Sequence, residues 1–333
     1  MAYTIAFFGS KPYDEASFNE KNSGYGFELR YYKGHLNLNN VILTQGVDAV
    51  CIFVNDTADA EVIRQLAANG VKLLALRCAG YNNVDLKAAA ENGITVVRVP
   101  AYSPYAVAEY TVALMLSLNR KIPRATWRTR DGNFSLHGLL GFDMYGKTAG
   151  IIGTGKIAKI LIHILKGFGM NILAYDLYPD YNFAREEQIV YTSLDELYHS
   201  SDIISLHCPL TEATKYLIND YSISKMKDGV MIINTGRGQL IHTNALIEGL
   251  KNKKIGSAGL DVYEEESEYF YEDQSDRIID DDVLARLLSF NNVIVTSHQA
   301  FFTREAMGNI AMTTLQNIKD FINHKSLLNE VKR

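Results

Sequence analysis

A glycine-rich turn between two apolar runs is the pattern in this chain that points most directly to chemistry. An apolar run over 148–152 leads into Gly153, Thr154 and Gly155, and a helix-like segment follows, with Ala158 in its first turn. Gly153 allows a tight turn after a strand, Gly155 lets a pyrophosphate approach the backbone, and Ala158 is small enough for helix–strand packing. The helix N-terminus then offers unpaired N–H groups and the positive end of its dipole to the phosphates.

A carboxylate follows this turn at a telling distance. The run 171–175 predicts the next strand, and Asp176 comes directly after it, 23 residues after Gly153. An acid at about that distance binds the ribose hydroxyls of a dinucleotide. Its charge would repel a 2′-phosphate, and no arginine follows it immediately, so the pattern predicts NAD rather than NADP. The alternative is a glycine turn in some other α/β protein.

A nicotinamide enzyme also needs a group that exchanges a proton and a cation that holds an anionic substrate. In open α/β sheets, ligands bind at the carboxyl ends of the strands. Three suitable side chains follow predicted strands: Arg237, Glu266 and His298. A planar guanidinium matches a planar carboxylate, and an imidazole can give or take a proton. Each of the three, taken alone, could equally be a surface or structural residue.

Composition narrows the class of protein that carries these residues. The chain has 333 residues, 47% hydrophobic and 21% charged, which predicts a globular protein of two domains. A net charge of −5 argues against a nucleic-acid partner. The apolar runs are shorter than the ~20 residues that cross a bilayer, and the N-terminus predicts a strand rather than a signal peptide. The three cysteines are too few and too far apart for a disulfide framework or a metal site. This predicts a protein of the reducing cytoplasm.

Short apolar runs alternate with helix-like segments in the first hundred residues, which predicts β-α-β units and a parallel sheet. The predicted strands are 5–8, 49–54, 73–76 and 95–99, and the predicted helices are 59–69 and 85–92. Pro100 and Pro104 interrupt this alternation. A buried crossover helix is expected over 105–119, and an irregular, arginine-rich stretch over 121–145.

The alternation restarts at Thr148 and predicts a doubly wound sheet of six or seven strands. These strands are 149–153, 171–175, 189–191, 203–207, 230–234, 257–261 and 293–297. The helices most clearly predicted are 156–167, 194–199, 243–252 and a final helix over 303–323. The acidic run 264–273 is expected to be a loop. Residues 280–282, all aspartates, belong either to a loop or to the cap of the next helix.

Several segments together resemble the D-isomer-specific 2-hydroxyacid dehydrogenases, and among them most closely the fermentative NAD-dependent D-lactate dehydrogenases. The segments that carry the resemblance are 50–56, 76–85, 98–104, the glycine-rich turn, 235–238 and 298–301. The resemblance extends over essentially the whole chain, and the motifs are highly specific in combination.

The resemblance implies an α/β fold of two domains. A Rossmann-type doubly wound parallel sheet, the NAD-binding domain of residues 101–299, would be inserted in a flavodoxin-like α/β substrate domain. That substrate domain, which is also the catalytic domain, would comprise residues 1–100 and 300–333. A homodimer or homotetramer is implied as well, paired through the dinucleotide domain with contributions from 105–119 and 121–145.

The activity implied is the reversible reduction of pyruvate to D-lactate by hydride transfer from NADH. His298 would be the acid/base, Glu266 would hydrogen-bond His298 and raise its pKa, and Arg237 would bind the substrate carboxylate. Glu264 and Glu265 compete with Glu266 for this role. The family spacing favours Glu266, which lies 29 residues after Arg237 and 32 before His298.

The resemblance also assigns binding residues. The backbone N–H groups of Ala79 and Gly80 would bind the substrate carboxylate, with Tyr102 beside them. The implied cofactor contacts are Gly153, Gly155, Lys156, Ile157, Asp176, Cys208, Pro209, Thr214, Thr235, Gly236, Arg237 and Asp261. Two of these have simpler interpretations: Asp261 could only cap a turn, and Cys208 could be a packing residue whose backbone meets the cofactor.

Two other functions stay open at this point. The same chemistry could act on a larger 2-oxoacid, because Tyr81, Tyr102, Phe301 and Phe302 flank the predicted site and leave the pocket size undetermined. The chain could also be a non-catalytic NAD-sensing binding protein, since the same fold serves in transcriptional corepression.

Overall fold

The protein consists of two compact units. The computed structural model describes residues 3–265 and 269–332. One unit comprises Met1–Ser103 and Phe302–Arg333, and the other comprises Pro104–Phe301. The chain therefore leaves the first unit once and returns to it at its C-terminal end.

The first unit is built on a five-stranded parallel sheet in the order β2-β1-β3-β4-β5, which is the flavodoxin-like order. The strands are β1 (Thr4–Phe7), β2 (Glu28–Tyr31), β3 (Ala49–Ile52), β4 (Leu73–Leu76) and β5 (Thr95–Val97). Every residue of β1, β3 and β4 is buried, as their unbroken apolar sequences predict. The apolar pattern of the sequence does not predict β2, because this edge strand exposes Glu28 and Arg30 and so lacks an apolar run.

Helices α1 (Pro12–Asn22), α2 (Ala60–Ala68) and α3 (Leu86–Glu91) connect these strands, and a 3₁₀ turn covers Val41–Thr44. Two of the three begin at an aspartate. The side chain of Asp59 accepts the N–H groups of Glu61 and Val62, and that of Asp85 accepts the N–H of Ala88. Such caps satisfy amides that have no partner within the helix, so they fix where α2 and α3 begin.

Arg77, the first residue after β4, carries a positive charge in the core of the first unit and is only 2% exposed. Its guanidinium packs over the rings of Phe7 and Phe53, at 4.5 and 5.0 Å from the centroids. It donates a hydrogen bond to the carbonyl of Gly9 at 2.8 Å. The carboxylate of Asp14 lies 3.6 Å from its Nε atom. Burial raises the pKa of Asp14, and the charge of Arg77 opposes that rise.

The second unit contains a seven-stranded sheet that is parallel throughout, in the order β12-β11-β10-β9-β6-β7-β8. The strands are β6 (Thr148–Ile152), β7 (Asn171–Tyr175), β8 (Val190–Tyr191), β9 (Ile203–Leu206), β10 (Val230–Asn234), β11 (Ile255–Leu260) and β12 (Val293–Val295). Six of them follow the Rossmann order, and β12 extends the sheet beyond β11. All seven predicted strands are present, with small differences at their ends.

The helices of this unit are α4 (Pro104–Arg120), α5 (Ile122–Arg130), α6 (Lys156–Gly167), α7 (Tyr181–Glu187), α8 (Leu194–Ser200), α9 (Asp220–Lys225), α10 (Thr243–Lys251) and α11 (Asp282–Leu288). The predicted crossover helix is α4, which packs against α6, β10 and β11. Helix α5 corrects the expectation of an irregular stretch after residue 120. It buries none of its side chains, so no apolar periodicity revealed it. Asp281 caps α11, which confirms one of the two interpretations of the aspartate run over 280–282.

Helix α12 (Arg304–Ile322) completes the first unit and packs against α1 and β4. The side chain of Thr303 accepts the N–H of Ala306 and so caps this helix. Across residues 3–265 and 269–332, no helix has the length and apolar content needed to cross a membrane. The α/β fold class predicted from the sequence, with a Rossmann-type and a flavodoxin-like sheet, is confirmed.

The pairing of Asp14 with Arg77 can be tested by unfolding. Asp14→Ala should lower the free energy of unfolding by about 3 kcal/mol, because it leaves a buried guanidinium without its counter-charge. The double variant Asp14→Ala/Arg77→Met removes both charges and should regain at least half of that loss. Urea unfolding followed by circular dichroism measures both. An equal or larger loss in the double variant would contradict the ion-pair explanation.

Candidate active site

The residues that follow the strands of the second unit lie along one edge of its sheet. The N–H of Asp261 donates to the carbonyl of Asn234 at 2.9 Å, and the N–H of His298 donates to the carbonyl of Asp261 at 2.7 Å. These bonds join the ends of β10, β11 and β12. Predicted site residues follow six neighbouring strands on this edge: Asp176 (β7), Gly153 (β6), Cys208 (β9), Thr235, Gly236 and Arg237 (β10), Asp261 (β11) and His298 (β12).

The glycine-rich turn has the geometry that a dinucleotide requires. Gly153 has a φ of +89°, and a Cβ there would lie 2.6 Å from the backbone nitrogen of Cys208, so only glycine fits. Gly155 precedes α6 and has open space where a Cβ would be. Among the described residues, no side chain caps the first amides of α6, which begin at Lys156. These free N–H groups and the space in front of them fit a pyrophosphate.

Asp176 is held in place by residues that the sequence analysis did not single out. One carboxylate oxygen accepts the N–H and the hydroxyl of Thr154, at 2.6 and 2.9 Å, and the other accepts the N–H of Tyr178 at 2.9 Å. The hydroxyl of Tyr191 donates to that of Thr154 at 2.9 Å. Partial burial works to raise the pKa of Asp176, but these hydrogen bonds outweigh it and lower the pKa below its usual value. Asp176 is therefore an anion at neutral pH.

The turn after β9 is closed by hydrogen bonds of its own. The hydroxyl of Thr214 donates to the carbonyl of Pro209 at 2.7 Å and accepts the N–H of Thr211 at 2.8 Å. Burial raises the pKa of the Cys208 thiol to about 11. A thiol with that pKa is protonated at neutral pH, so it is not a nucleophile.

Arg237 extends from a rigid turn after β10. The side chain of Asn234 accepts the N–H of Gly236 at 3.0 Å and donates to the carbonyl of Arg237 at 2.8 Å. Gly238 is obligatory, because a Cβ would lie 2.0 Å from the carbonyl oxygen of Tyr263. Within the described ranges, no carboxylate lies within ion-pair distance of the half-buried Arg237 guanidinium. Its charge is therefore available to an anionic ligand.

Asp261 fixes the segment that carries His298. Its fully buried carboxylate accepts the hydroxyl of Thr296 at 2.6 Å and the N–H groups of Gln299 and Ala300 at 2.9 and 2.8 Å. Burial raises its pKa, against the opposing effect of these hydrogen bonds and of His298. The carboxylate caps the turn after β12, and the role of Asp261 as a cofactor contact stays a prediction. His298 itself has a φ of +51°, which this capped turn sustains.

The segment between β11 and α11 contributes a second anchor for His298. Its contacts also bear on which of Glu264, Glu265 and Glu266 is the partner of His298. The hydroxyl of Tyr271 donates to the carbonyl of His298 at 3.2 Å, and the two rings lie 6.0 Å apart. The carboxylate of Glu264 accepts the hydroxyls of Tyr216 and Thr243. Glu264 is thus engaged in anchoring the start of the loop. Glu266, the predicted partner of His298, lies outside the described residues.

Three of the four predicted substrate residues, Ala79, Gly80 and Tyr102, belong to the first unit. Ala79 and Gly80 follow β4, and neither of their N–H groups donates to an acceptor in the described part of the chain. The carbonyl of Ala79 accepts a hydrogen bond from Arg98 at 2.8 Å. The carbonyl of Tyr102 accepts one from the side chain of Asn309 at 2.7 Å. Over residues 3–265 and 269–332, no cluster of three or more His, Cys, Asp or Glu side chains could hold a metal ion.

Comparison with models of protein families identifies residues 112–300 as the NAD-binding domain of a D-isomer specific 2-hydroxyacid dehydrogenase. That match spans more than half of the chain. The chain belongs to the D-isomer specific 2-hydroxyacid dehydrogenases. As a member of this family it is an oxidoreductase that uses NAD, and the family and the cofactor predicted from the sequence are both confirmed.

Relatives of this 2-hydroxyacid dehydrogenase match it over its full length. It is 51% identical to the D-lactate dehydrogenase of Escherichia coli over 327 residues, 98% of this chain and 99% of that protein. The structure of the pyruvate reductase of Chlamydomonas reinhardtii superimposes with a TM-score of 0.94 at 44% identity, over 98% of each chain. The structure of a D-2-hydroxyisocaproate dehydrogenase gives a TM-score of 0.87 at 31% identity, over 98% and 99%.

We expect His207, the first residue after β9, to make the folding stability of this 2-hydroxyacid dehydrogenase depend on pH in the acid range. Its Nε2 lies 2.8 Å from the hydroxyl of Ser205, and burial lowers its pKa from 6.5 to about 4. Below pH 6.5 the unfolded chain therefore binds a proton that the folded chain refuses. We therefore expect stability to fall as the pH drops from about 6.5 to about 4, by up to about 3 kcal/mol from this one group.

We expect His207→Gln to lose less stability than the unmodified protein between pH 6.5 and pH 4. Urea unfolding at several pH values measures the difference in slope. Identical pH slopes for the His207→Gln variant and the unmodified protein would show that His207 is not the titrating group.

Proposed function

We propose that this protein is an NAD-dependent D-lactate dehydrogenase that reversibly reduces pyruvate to D-lactate. The observation that carries the proposal is the guanidinium of Arg237, which has no carboxylate partner among the described residues and lies on the same strand edge as His298 and the glycine-rich turn. The full-length similarity to a D-lactate dehydrogenase and to a pyruvate reductase supports the choice of substrate.

We assign NAD to the carboxyl edge of the seven-stranded sheet. Gly153, Gly155 and the amides of Lys156 and Ile157 would face the pyrophosphate, and Asp176 would accept hydrogen bonds from the adenosine ribose. The other contacts would come from Cys208, Pro209, Thr214, Thr235, Gly236, Arg237 and Asp261. When bound, the reduced nicotinamide supplies the hydride.

Arg237 and His298 divide the remaining chemistry. The Arg237 guanidinium would hold the substrate carboxylate and orient the neighbouring carbonyl, an arrangement that its planar donors favour. His298, as imidazolium, would give its Nε2 or Nδ1 proton to the carbonyl oxygen as the hydride arrives, and would take it back in the reverse direction. Glu266 would stabilise that imidazolium. Pyruvate, NADH and one proton thereby become D-lactate and NAD⁺.

The first unit would act as the substrate domain. The N–H groups of Ala79 and Gly80, which have no acceptor among the residues that the structure describes, would bind the carboxylate of pyruvate, with Tyr102 beside them. The second unit would act as the NAD-binding domain, for which the sequence predicts the limits 101–299.

The proposal also includes the oligomeric state, the location and the role of the protein. It would be a homodimer or homotetramer in the reducing cytoplasm and would serve in fermentation. Pairing through the second unit is supported by large apolar side chains after α4 that are 65–88% exposed: Trp127, Phe134, Leu136, Leu140 and Tyr145. Cys51, Cys78 and Cys208 form no disulfide bond within the described part of the chain, which suits a reducing compartment.

The activity itself is tested by following NADH absorbance with pyruvate, and the substrate size by comparing kcat/KM for pyruvate and 2-oxoisocaproate. We expect pyruvate to be preferred. A preference for 2-oxoisocaproate would favour the second candidate, a dehydrogenase of larger 2-oxoacids, which the similarity to a D-2-hydroxyisocaproate dehydrogenase keeps open. NADH binding without oxidation on either substrate would indicate a non-catalytic NAD-binding protein.

Replacing the proposed acid should abolish most of the turnover. His298→Ala should lower kcat for pyruvate by roughly 10²–10⁴-fold, the usual contribution of one acid/base, with NADH affinity little changed. Steady-state kinetics and NADH fluorescence titration measure the two quantities. His163→Ala, at an exposed histidine, is the matched control and should keep full activity. Near-full activity of the His298→Ala variant would refute the assignment.

The preference for NAD over NADP should depend on the charge of Asp176. Asp176→Ser removes the repulsion of the 2′-phosphate and should raise the ratio of kcat/KM for NADPH to that for NADH at least about tenfold, equivalent to about 1.4 kcal/mol. Asp180→Ser is the control, because Asp180 is already paired with Lys159 at 2.5 Å. An unchanged ratio in the Asp176→Ser variant would mean that another group selects the cofactor.

A further inference from the structure

Arg98 is a half-buried cation whose side chain, within the described ranges, donates a hydrogen bond only to a backbone carbonyl. Its Nη1 donates to the carbonyl of Ala79 at 2.8 Å, and its guanidinium lies 5.1 Å from the centroid of the Tyr81 ring. In the part of the chain that the structure describes, no carboxylate lies within ion-pair distance of it. The positive charge of Arg98 therefore lies beside the loop after β4 and is not neutralised by a carboxylate of the described residues.

The backbone of Arg98 is fixed on both sides, so the guanidinium starts from a defined position. Its N–H donates to the carbonyl of Asn329 at 3.1 Å, and its carbonyl accepts from the side chain of Asn317 at 2.9 Å. The next residue, Val99, donates its N–H to the carbonyl of Cys78 at 3.1 Å. Segment 97–99 and the loop after β4 thus form one hydrogen-bonded unit.

The bond from Arg98 has a consequence for the neighbouring amide. In a planar trans peptide the C=O and N–H groups point in opposite directions. Holding the carbonyl of Ala79 therefore aims the N–H of Gly80 away from Arg98. A cation on the carbonyl also draws electron density from the amide, which makes that N–H a stronger donor. The Gly80 N–H has no acceptor within the described residues.

We infer that Arg98 is a positioning residue for substrate binding, which orients and polarises the Ala79–Gly80 peptide so that the Gly80 N–H binds a substrate carboxylate. The inference rests on the proposed function, in which that peptide contacts the 2-oxoacid. Arg98 acts through the peptide and exchanges no proton with the substrate. Its loss should therefore weaken carboxylate binding, leaving NADH binding unchanged.

The test compares Arg98→Met, which removes the charge and the donors, with Arg98→Lys, which keeps a charge and one donor. Arg98→Met should raise KM for pyruvate and the inhibition constant of oxamate, an isosteric carboxylate, by a similar factor of roughly tenfold. We expect kcat to change less than threefold and the NADH dissociation constant to stay the same. Arg98→Lys should restore most of the affinity. Arg64→Met, at a surface arginine paired with Glu61, is the matched control.

The outcomes separate this inference from the proposed function. Oxamate binding to the NADH complex, followed by fluorescence, reports on the carboxylate site even where pyruvate is not turned over. Unchanged oxamate binding in Arg98→Met would overturn the inference. A loss of NADH binding in Arg98→Met that accounts for the weaker oxamate binding, and that Arg98→Lys does not reverse, would also overturn the inference. So would a drop in the thermal midpoint of unfolding with the same two features. Failure of the unmodified protein to reduce pyruvate would overturn the proposed function alone.

Discussion

The buried carboxylate of Asp261 is the interaction on which the geometry of the candidate site depends. It lies at the end of β11 and collects three hydrogen bonds from the segment that follows β12. The same residue's backbone joins the ends of β10 and β12. A single anion thus ties the positions of Arg237 and His298 to the frame of a parallel sheet. Burying the Asp261 carboxylate costs free energy, and its hydrogen bonds to these donors offset that cost.

Three arginines show how charge is divided between structure and ligand binding. Arg77 is buried and has Asp14 as its counter-charge, so its charge is balanced within the first unit. Arg237 and Arg98 are half-buried and have no carboxylate partner among the described residues. A guanidinium left in that condition favours anionic ligands, and each of the two lies next to a residue to which the family pattern assigns substrate or cofactor binding.

Much of the fold followed from local sequence patterns, and the exceptions have physical causes. Strands β1, β3 and β4 are buried on all sides and so carry unbroken apolar runs. Strand β2 and helix α5 lie where little is buried, and their sequences carry no such signal. Thr154 could have been noticed, since a hydroxyl inside the glycine-rich turn is well placed to meet the acid that follows. Its link to Tyr191, 37 residues away, had no local signal.

The sequence by itself determined the alternation of strands and helices, the dinucleotide turn and the family, because apolar periodicity and turn chemistry act between near neighbours. It also assigned the candidate acid/base and cation by their positions after strands. The tertiary structure alone decided that Glu264 anchors its loop, that Asp261 caps the His298 turn, and that Arg98 binds the Ala79 carbonyl. These contacts join residues 19 to 39 positions apart, and only the packing of the sheets brings them within hydrogen-bond distance.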